Sequence, residues 1–367
     1  MQKSYFDRQD LLIVAFSLKP RFLANADGLL KKKEAYQMQE QAAKTFQVLE
    51  KEDPMQNLRE NITALRKNIE TVIVGKKGVI DLAIVTLLCR GHLLIEDVPG
   101  VGKTMLARAM ANSMALRFKR IQFTPDLLPS DVTGVSIFNQ KTGEFEFKAG
   151  PVFTHILLAD EINRATPRTQ SSLLECMEES QVTADGKTYL FPPIFMVIAT
   201  ENPIELQGTY PLPEAQLDRF FMKIKVGYPS LDEEVRVMEM QMKEHPIHSV
   251  LPVISEEQVK AMQNAVPQIF IEASVMRYIG RIVDATRTHQ DLILGASPRG
   301  SLSLMRATQA MALLKGTDFV EPSLIKILAK PVLVHRMILK PQSKLRGVTE
   351  DKILEEILRT IPVPVAE

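Results

Sequence analysis

The run Asp97-Val98-Pro99-Gly100-Val101-Gly102-Lys103-Thr104 constrains this chain more than any other feature. It stands between an extended apolar stretch at 92–96 and a helical pattern at 105–111. A polyphosphate needs a concave array of backbone N–H groups, a helix N-terminus aimed at its charge, a mobile ammonium and a hydroxyl for a divalent metal. This run supplies all four. Gly100 and Gly102 let the backbone turn around a β-phosphate, Lys103 reaches the β and γ oxygens, and Thr104 takes the metal, so ATP and Mg2+ are the expected cofactors of a set running from Asp97 through Met105. The strict pattern G-x-x-x-x-G-K-S/T has glycine where this chain has Asp97. Aspartate tolerates positive φ, so the turn is expected to survive with an acidic group near the phosphates. The plain alternative is an ordinary Pro-Gly turn before a helix.

A second motif weighs against that alternative. The apolar strand 155–159 ends in Asp160 and Glu161, which places one carboxylate for the magnesium site and a second, Glu161, for the attacking water as general base or orienting group. A third strand, 194–199, leads to Asn202, and strand ends converge on the ligand in a doubly wound sheet. Asn202 can therefore touch a γ-phosphate or its water, or it is a turn residue before Pro203. Ser297 and Pro298 read as the N-cap and first position of a helix, so Arg299 projects from its first turn, by default into solvent. Arg219, in Leu217-Asp218-Arg219-Phe220, is framed by apolar neighbours; its plain reading is a structural ion pair.

Strands at 92–96, 120–123, 155–159, 194–199 and 220–226 alternate with helical stretches, which implies an α/β fold around a parallel sheet covered on both faces. Beyond residue 228 helical patterns take over, so a second, all-α domain is expected over 229–367 after a core over 55–228. Two insertions, 137–147 and 181–191, read as β-hairpins with turns at Gly143 and Gly186. Residues 1–54 differ in character and read as an appendage. Their apolar run at 11–18 is short for a signal segment, carries Asp7 and Asp10 before it, and is rejected as one. Met38 and Met55 are alternative starts, and the working protein is expected to begin near Met55.

With 45% apolar and 24% charged residues the composition is that of a globular protein, without a stretch near the length of a membrane span, and a cytoplasmic location is expected. The net charge of +1 offers no bulk footprint for nucleic acid. Cys89 and Cys176 are too far apart to suggest a disulfide framework and read as small buried hydrophobes.

The phosphate loop, the Asp-Glu strand, Asn202, Leu217-Asp218-Arg219-Phe220 and Ser297-Pro298-Arg299, in that order, resemble an AAA+ ATPase. The stretch from Asp160 and Glu161 through Ile162-Asn163-Arg164-Ala165-Thr166-Pro167 to Leu174-Glu175 narrows the resemblance to the MoxR family, over residues 55–360. That resemblance implies a five-stranded core with a helical lid, a homo-oligomeric ring, commonly a hexamer, and ATP held between subunits. It assigns Asn202 as sensor 1, Arg299 as the lid's sensor 2, Arg219 as the finger reaching a neighbour's γ-phosphate, and Ile73, Val74 and Gly75 to the adenine pocket. The hairpins match insertions that face the ring pore in the branch shared with magnesium chelatase and minichromosome maintenance helicases. Relatives of this kind are chaperone-like remodellers that assemble, activate or insert metal into client proteins, often with a von Willebrand factor A domain partner. The competing readings are a nucleic-acid-linked motor or regulator, a magnesium-chelatase-like subunit, and a nucleotide-gated scaffold without turnover. Near-neutral charge and hairpins without a basic-aromatic cluster count against the first.

Overall fold

The computed structural model describes residues 54–184, 186–203, 208–242 and 244–364. The appendage expected over 1–54, with its apolar run, therefore falls outside them except for Pro54. The described residues from Met55 onward pack as one compact unit.

Helices α1 (Pro54–Glu70) and α2 (Lys77–Leu88) lead into strand β1 (Leu93–Glu96) and helix α3 (Lys103–Ser113). Strand β2 (Phe118–Gln122) is followed by a hairpin, β3 (Gly134–Asn139) and β4 (Glu144–Ala149). Strand β5 (Ile156–Asp160) and helix α4 (Pro167–Glu179) precede a second hairpin, β6 (Gln181–Ala184) and β7 (Lys187–Leu190). Strands β8 (Met196–Glu201) and β9 (Met222–Ile224) complete a five-stranded sheet of order β2-β5-β8-β1-β9, parallel throughout.

The period of two along each strand divides the core. Leu93, Ile95, Ile156, Leu158, Met196 and Ile198 face a cluster shared with α1, α2 and α3. Leu94, Leu157, Ala159, Val197 and Ala199 face the other cluster, shared with Leu173 and Leu174 of α4. Burial on both faces explains why these strands read as continuous apolar runs. Because β1 and β2 are consecutive in the chain but not adjacent in the sheet, the loop after β1 opens into a crevice at the carboxyl edge.

Both hairpins form where the turns at Gly143 (φ 71°) and Gly186 (φ 73°) were expected. They are joined by the stacked rings of Phe147 and Tyr189, 4.2 Å apart.

Beyond β9 the chain is mainly helical: α5 (Leu231–Gln241), α6 (Glu256–Ala265), α7 (Ala273–Thr288), α8 (Pro298–Lys315), α9 (Pro322–Leu333) and α10 (Glu350–Thr360). Ser230 with Glu233 and Ser255 with Gln258 form capping boxes that start α5 and α6. This region is not purely helical, because Leu292–Leu294 and Ile338–Leu339 pair as antiparallel strands β10 and β11. Runs of two and three residues carry no periodicity, so only the tertiary pairing of these distant segments reveals them. The apolar core continues from the sheet into these helices, and Gln263 Nε2 donates to the carbonyl of Leu87 across the join at 2.8 Å. No helix among the described residues is long and apolar enough to cross a membrane.

Candidate functional site

The loop from Asp97 to Gly102 leaves β1 at the carboxyl edge and enters α3 at Lys103. Gly100 (φ 88°) and Gly102 (φ 90°) are both left-handed, and a Cβ built on either would meet only open space within 4 Å. The result is an unfilled concavity whose floor is backbone. Gly102 caps α3 without any side-chain bond, so the first N–H groups of the helix, at Lys103, Thr104 and Met105, face the concavity and the positive end of the dipole adds to them. Val98, Pro99 and Val101 complete the rim, with Val101 packed against the core.

Asp97 departs from expectation. Its φ is not positive, and its carboxylate is turned away from the concavity. Oδ2 accepts from the amides of Val226 and Gly227 at 2.7 and 2.6 Å, and Oδ1 accepts from Val98 at 2.8 Å. The acidic group is therefore an anchor that ties the loop to the chain leaving β9. It occupies its acceptors with backbone donors and does not confront a phosphate. The same exit segment reaches the 73–75 turn between α1 and α2, where Lys76 Nζ donates to Tyr228 O at 2.7 Å. Ile73 is buried, Val74 is half-buried and Gly75 is exposed under the side chain of Glu233, so the turn expected to line an adenine pocket lies one residue from a contact with the exit segment that anchors the phosphate loop.

Lys103 is 8% exposed and its Nζ donates to the carbonyl of Asp97 at 2.7 Å. Burial lowers its pKa, while the charges of Asp160, Asp97 and Glu161 oppose that shift, which places both carboxylates that end β5 around the same ammonium. Asp160 Oδ1 accepts from Thr200 Oγ1 at 2.6 Å, and that same hydroxyl accepts from the amide of Glu161 at 2.8 Å. Glu161 sits in the left-handed region (φ 55°), a conformation costly for a residue with a Cβ and concentrated at functional sites. Its Oε2 accepts from Gln122 at 2.7 Å and pairs with Arg164 at 3.1 Å. Asn202, 4% exposed, follows β8 at the same edge.

Three residues that the sequence did not single out belong to this group. Arg120 pairs with Asp160 Oδ2 through Nη2 at 2.7 Å and Nε at 3.1 Å, Gln122 holds Glu161, and Thr200 holds both. Their signal was the order of the sheet: β2 and β8 flank β5, and Gln122 lies in register with Asp160. Strand order cannot be read from one sequence.

A divalent cation fits this donor set. Thr104 lies in the first turn of α3 and Asp160 beside Lys103. Among the described residues no three His, Cys, Asp or Glu cluster tightly enough to cage a metal. A cation here would draw its remaining ligands from phosphate and water, as magnesium in such sites does.

Arg219 and Arg299 are not part of this group. Arg219 precedes β9 at the opposite, amino edge of the sheet, where the amide of Phe221 donates to the carbonyl of His92 at 2.8 Å. From His92 to Asp97 the strand rises about 16 Å at roughly 3.3 Å per residue. Arg219 Nη2 pairs with Glu178 Oε2 at 3.0 Å, and Arg299 Nη2 with Glu178 Oε1 at 2.6 Å. The ion pair expected as the plain reading of Arg219 is thus present, and Arg299 shares it. The cysteines take no part: both are free, and burial pushes the Cys176 thiol up to about 12.

Residues 92–222 match the ATPase family associated with various cellular activities (AAA), and residues 284–357 match the AAA lid domain. The uncharacterised protein YeaC of Bacillus subtilis is 53% identical over 82% of this chain and 93% of its own length. The protein named Chaperone MoxR1 of Mycobacterium tuberculosis is 38% identical over 81% of this chain and 80% of its own length. A crystal structure of a protein assigned as an ATPase, from Cytophaga hutchinsonii, superposes with a TM-score of 0.81 at 39% identity, covering 87% of this chain and 99% of that one.

Proposed function

This chain belongs to the MoxR family of AAA+ ATPases, and from that premise we propose that it hydrolyses Mg2+-bound ATP as a homo-oligomeric ring, with a hexamer as the expected size, and uses the cycle to remodel client proteins. One observation carries the proposal. The phosphate loop with Asp160 and Glu161 lies at one edge of the sheet, and Arg219 with Arg299 lies at the other, further away than a side chain spans. A subunit holding half of a phosphoryl-transfer site at each end is completed by a neighbour that presents the opposite edge.

In this reading the loop amides and Lys103 hold the β- and γ-phosphates, and Lys103 exchanges the Asp97 carbonyl for phosphate oxygen. Thr104 and Asp160 would hold Mg2+, which draws charge off the transferring group. Glu161 leaves Gln122 and Arg164 to orient or deprotonate the attacking water, with Asn202 beside the γ-phosphate. Arg219 of the next subunit neutralises the charge that develops on the phosphoryl oxygens, a contribution of about 10³ to 10⁵ in rate for such arginines. Arg299, held with Arg219, acts in the same direction. Client remodelling is supported by the name of the mycobacterial relative. A partner with a von Willebrand factor A domain and a cytoplasmic location complete the proposal.

The test is turnover against protein concentration with Mg2+ supplied, combined with mass photometry and with Glu161→Gln. Specific activity should rise as the oligomer forms, and Glu161→Gln should hold ATP while losing turnover by about 100-fold or more. A monomeric protein with concentration-independent wild-type activity would sink the ring.

A further inference from the structure

Glu178 stands in the last turn of α4, outside the phosphate-binding edge, yet among the described residues it is the carboxylate that both remote arginines share. Its two oxygens are divided between them, Oε1 to Arg299 at 2.6 Å and Oε2 to Arg219 at 3.0 Å. The hydrogen bond from Arg299, and then the charge of Arg219, hold its carboxyl below the usual carboxylate range. The arginines come from different parts of the chain, one from the loop before β9 and one from the first turn of α8.

The residues that precede them are tied as well, through side chains. Asp218, adjacent to Arg219, accepts from Ser297 Oγ at 3.1 Å and pairs with the buried guanidinium of Arg336 at 2.7 Å. Two guanidinium groups this close repel each other unless an anion lies between them. Each spends one Nη2 on Glu178, which leaves the rest of its planar fork for another acceptor. A depression of about 300 Å³, lined also by Arg90 and Arg336, surrounds the three side chains.

We propose that Glu178 is a positioning residue for hydrolysis in the adjacent subunit: it holds Arg219 and Arg299 as one pre-aimed pair for that neighbour's polyphosphate. The inference rests on the reading that these arginines act across the subunit interface. Glu178 acts through Arg219 and Arg299, and its effect is to fix two flexible side chains in advance of the reaction, so that neither charge repulsion nor rotamer freedom has to be overcome in the transition state. Loss of aim of the order of 1 Å in such groups costs about 100-fold in rate, so Glu178→Gln should lower kcat by about 10- to 100-fold. Affinity for nucleotide at the subunit's own loop should stay within about twofold, since that loop lies at the other end of the sheet.

Subunit mixing separates this role from a merely structural one. Glu178→Gln keeps its own phosphate loop, and Lys103→Ala, inactive by itself, keeps an intact Glu178 with its arginines. With Lys103→Ala in excess, most Glu178→Gln subunits face a neighbour with properly held arginines, and turnover per functional loop should recover by about tenfold. Arg219→Ala, mixed in the same way, is the control. If Arg219→Ala is not rescued, the cross-subunit reading itself fails. If Arg219→Ala is rescued but Glu178→Gln either turns over at the wild-type rate alone or stays slow in the mixture, the role of Glu178 is overturned and the cross-subunit reading stands.

Discussion

Replacing Asp97 by glycine would restore the strict phosphate-loop pattern, and the structure indicates that this should damage the protein. Asp97 is 8% exposed, and its carboxylate accepts from three backbone amides, those of Val98, Val226 and Gly227. The Val98 amide lies beside the exposed Pro99 and can turn to water. Val226 is buried and Gly227 half-buried, and both amides would lose their charged acceptor. A hydrogen bond to a charged acceptor contributes about 1.5–3 kcal/mol, so losing two costs about 3–6 kcal/mol. For a domain of this size each kcal/mol moves Tm by about 2–4 °C, which gives a fall of roughly 6–24 °C for Asp97→Gly. Asn keeps one acceptor oxygen and should cost about 1–3 kcal/mol. The anchored segment continues to Tyr228 and its bond from Lys76, so Asp97→Gly should also weaken ADP binding by loosening the loop from the 73–75 turn. Thermal and urea unfolding of wild type, Asn and Gly variants, with ADP binding by calorimetry, make the test. A Gly variant with wild-type Tm and ADP affinity would refute the anchoring role.

Arg120 neutralises Asp160 at the edge where a divalent cation is expected. Arg120→Gln should lower the Mg2+ concentration needed for half-maximal ADP binding by about 3- to 10-fold, because one positive charge near the cation is removed; calorimetry across a Mg2+ series reads this, and an unchanged or higher requirement contradicts it. His92 accepts from the amide of Val197 through Nδ1 at 3.0 Å and faces the carbonyl of Met177 through Nε2 at 3.1 Å, and burial pushes its pKa down to about 4. The unfolded chain therefore binds a proton near pH 6.5 that the folded chain refuses until about pH 4, so stability is complete above pH 6.5 and falls as the pH drops through that window. At pH 5 the loss is about 2 kcal/mol. His335, whose pKa burial also lowers, adds to it with the same sign. The unfolding free energy of His92→Gln should fall less between pH 7.5 and 5 than that of wild type, and parallel curves would remove the assignment.

Much of this molecule could be read without coordinates because its determinants are local. Apolar runs mark the three central strands β1, β5 and β8, since a strand buried on both faces leaves no polar alternation to confuse, whereas the edge strands β2 and β9 carry Lys and Arg between their apolar residues. Gly143 and Gly186 mark the hairpin turns, because left-handed backbone favours glycine. The loop from Gly100 to Thr104 announces its ligand for the same reason, as one short segment supplies amides, ammonium and hydroxyl together.

What the sequence left open depends on partners distant in the chain. The carboxylate of Asp97 could be placed only once β9 was seen beside β1, and its anchors lie 129 and 130 residues away. Thr200, Gln122 and Arg120 join the site because β8 and β2 flank β5, a lateral order that no periodicity records. Arg219 and Arg299 looked like parts of one catalytic list. The tertiary structure puts them at the far edge of the sheet and joins them through Glu178, because a parallel strand separates its two ends by its full length and the chain alone does not say which end a loop will occupy.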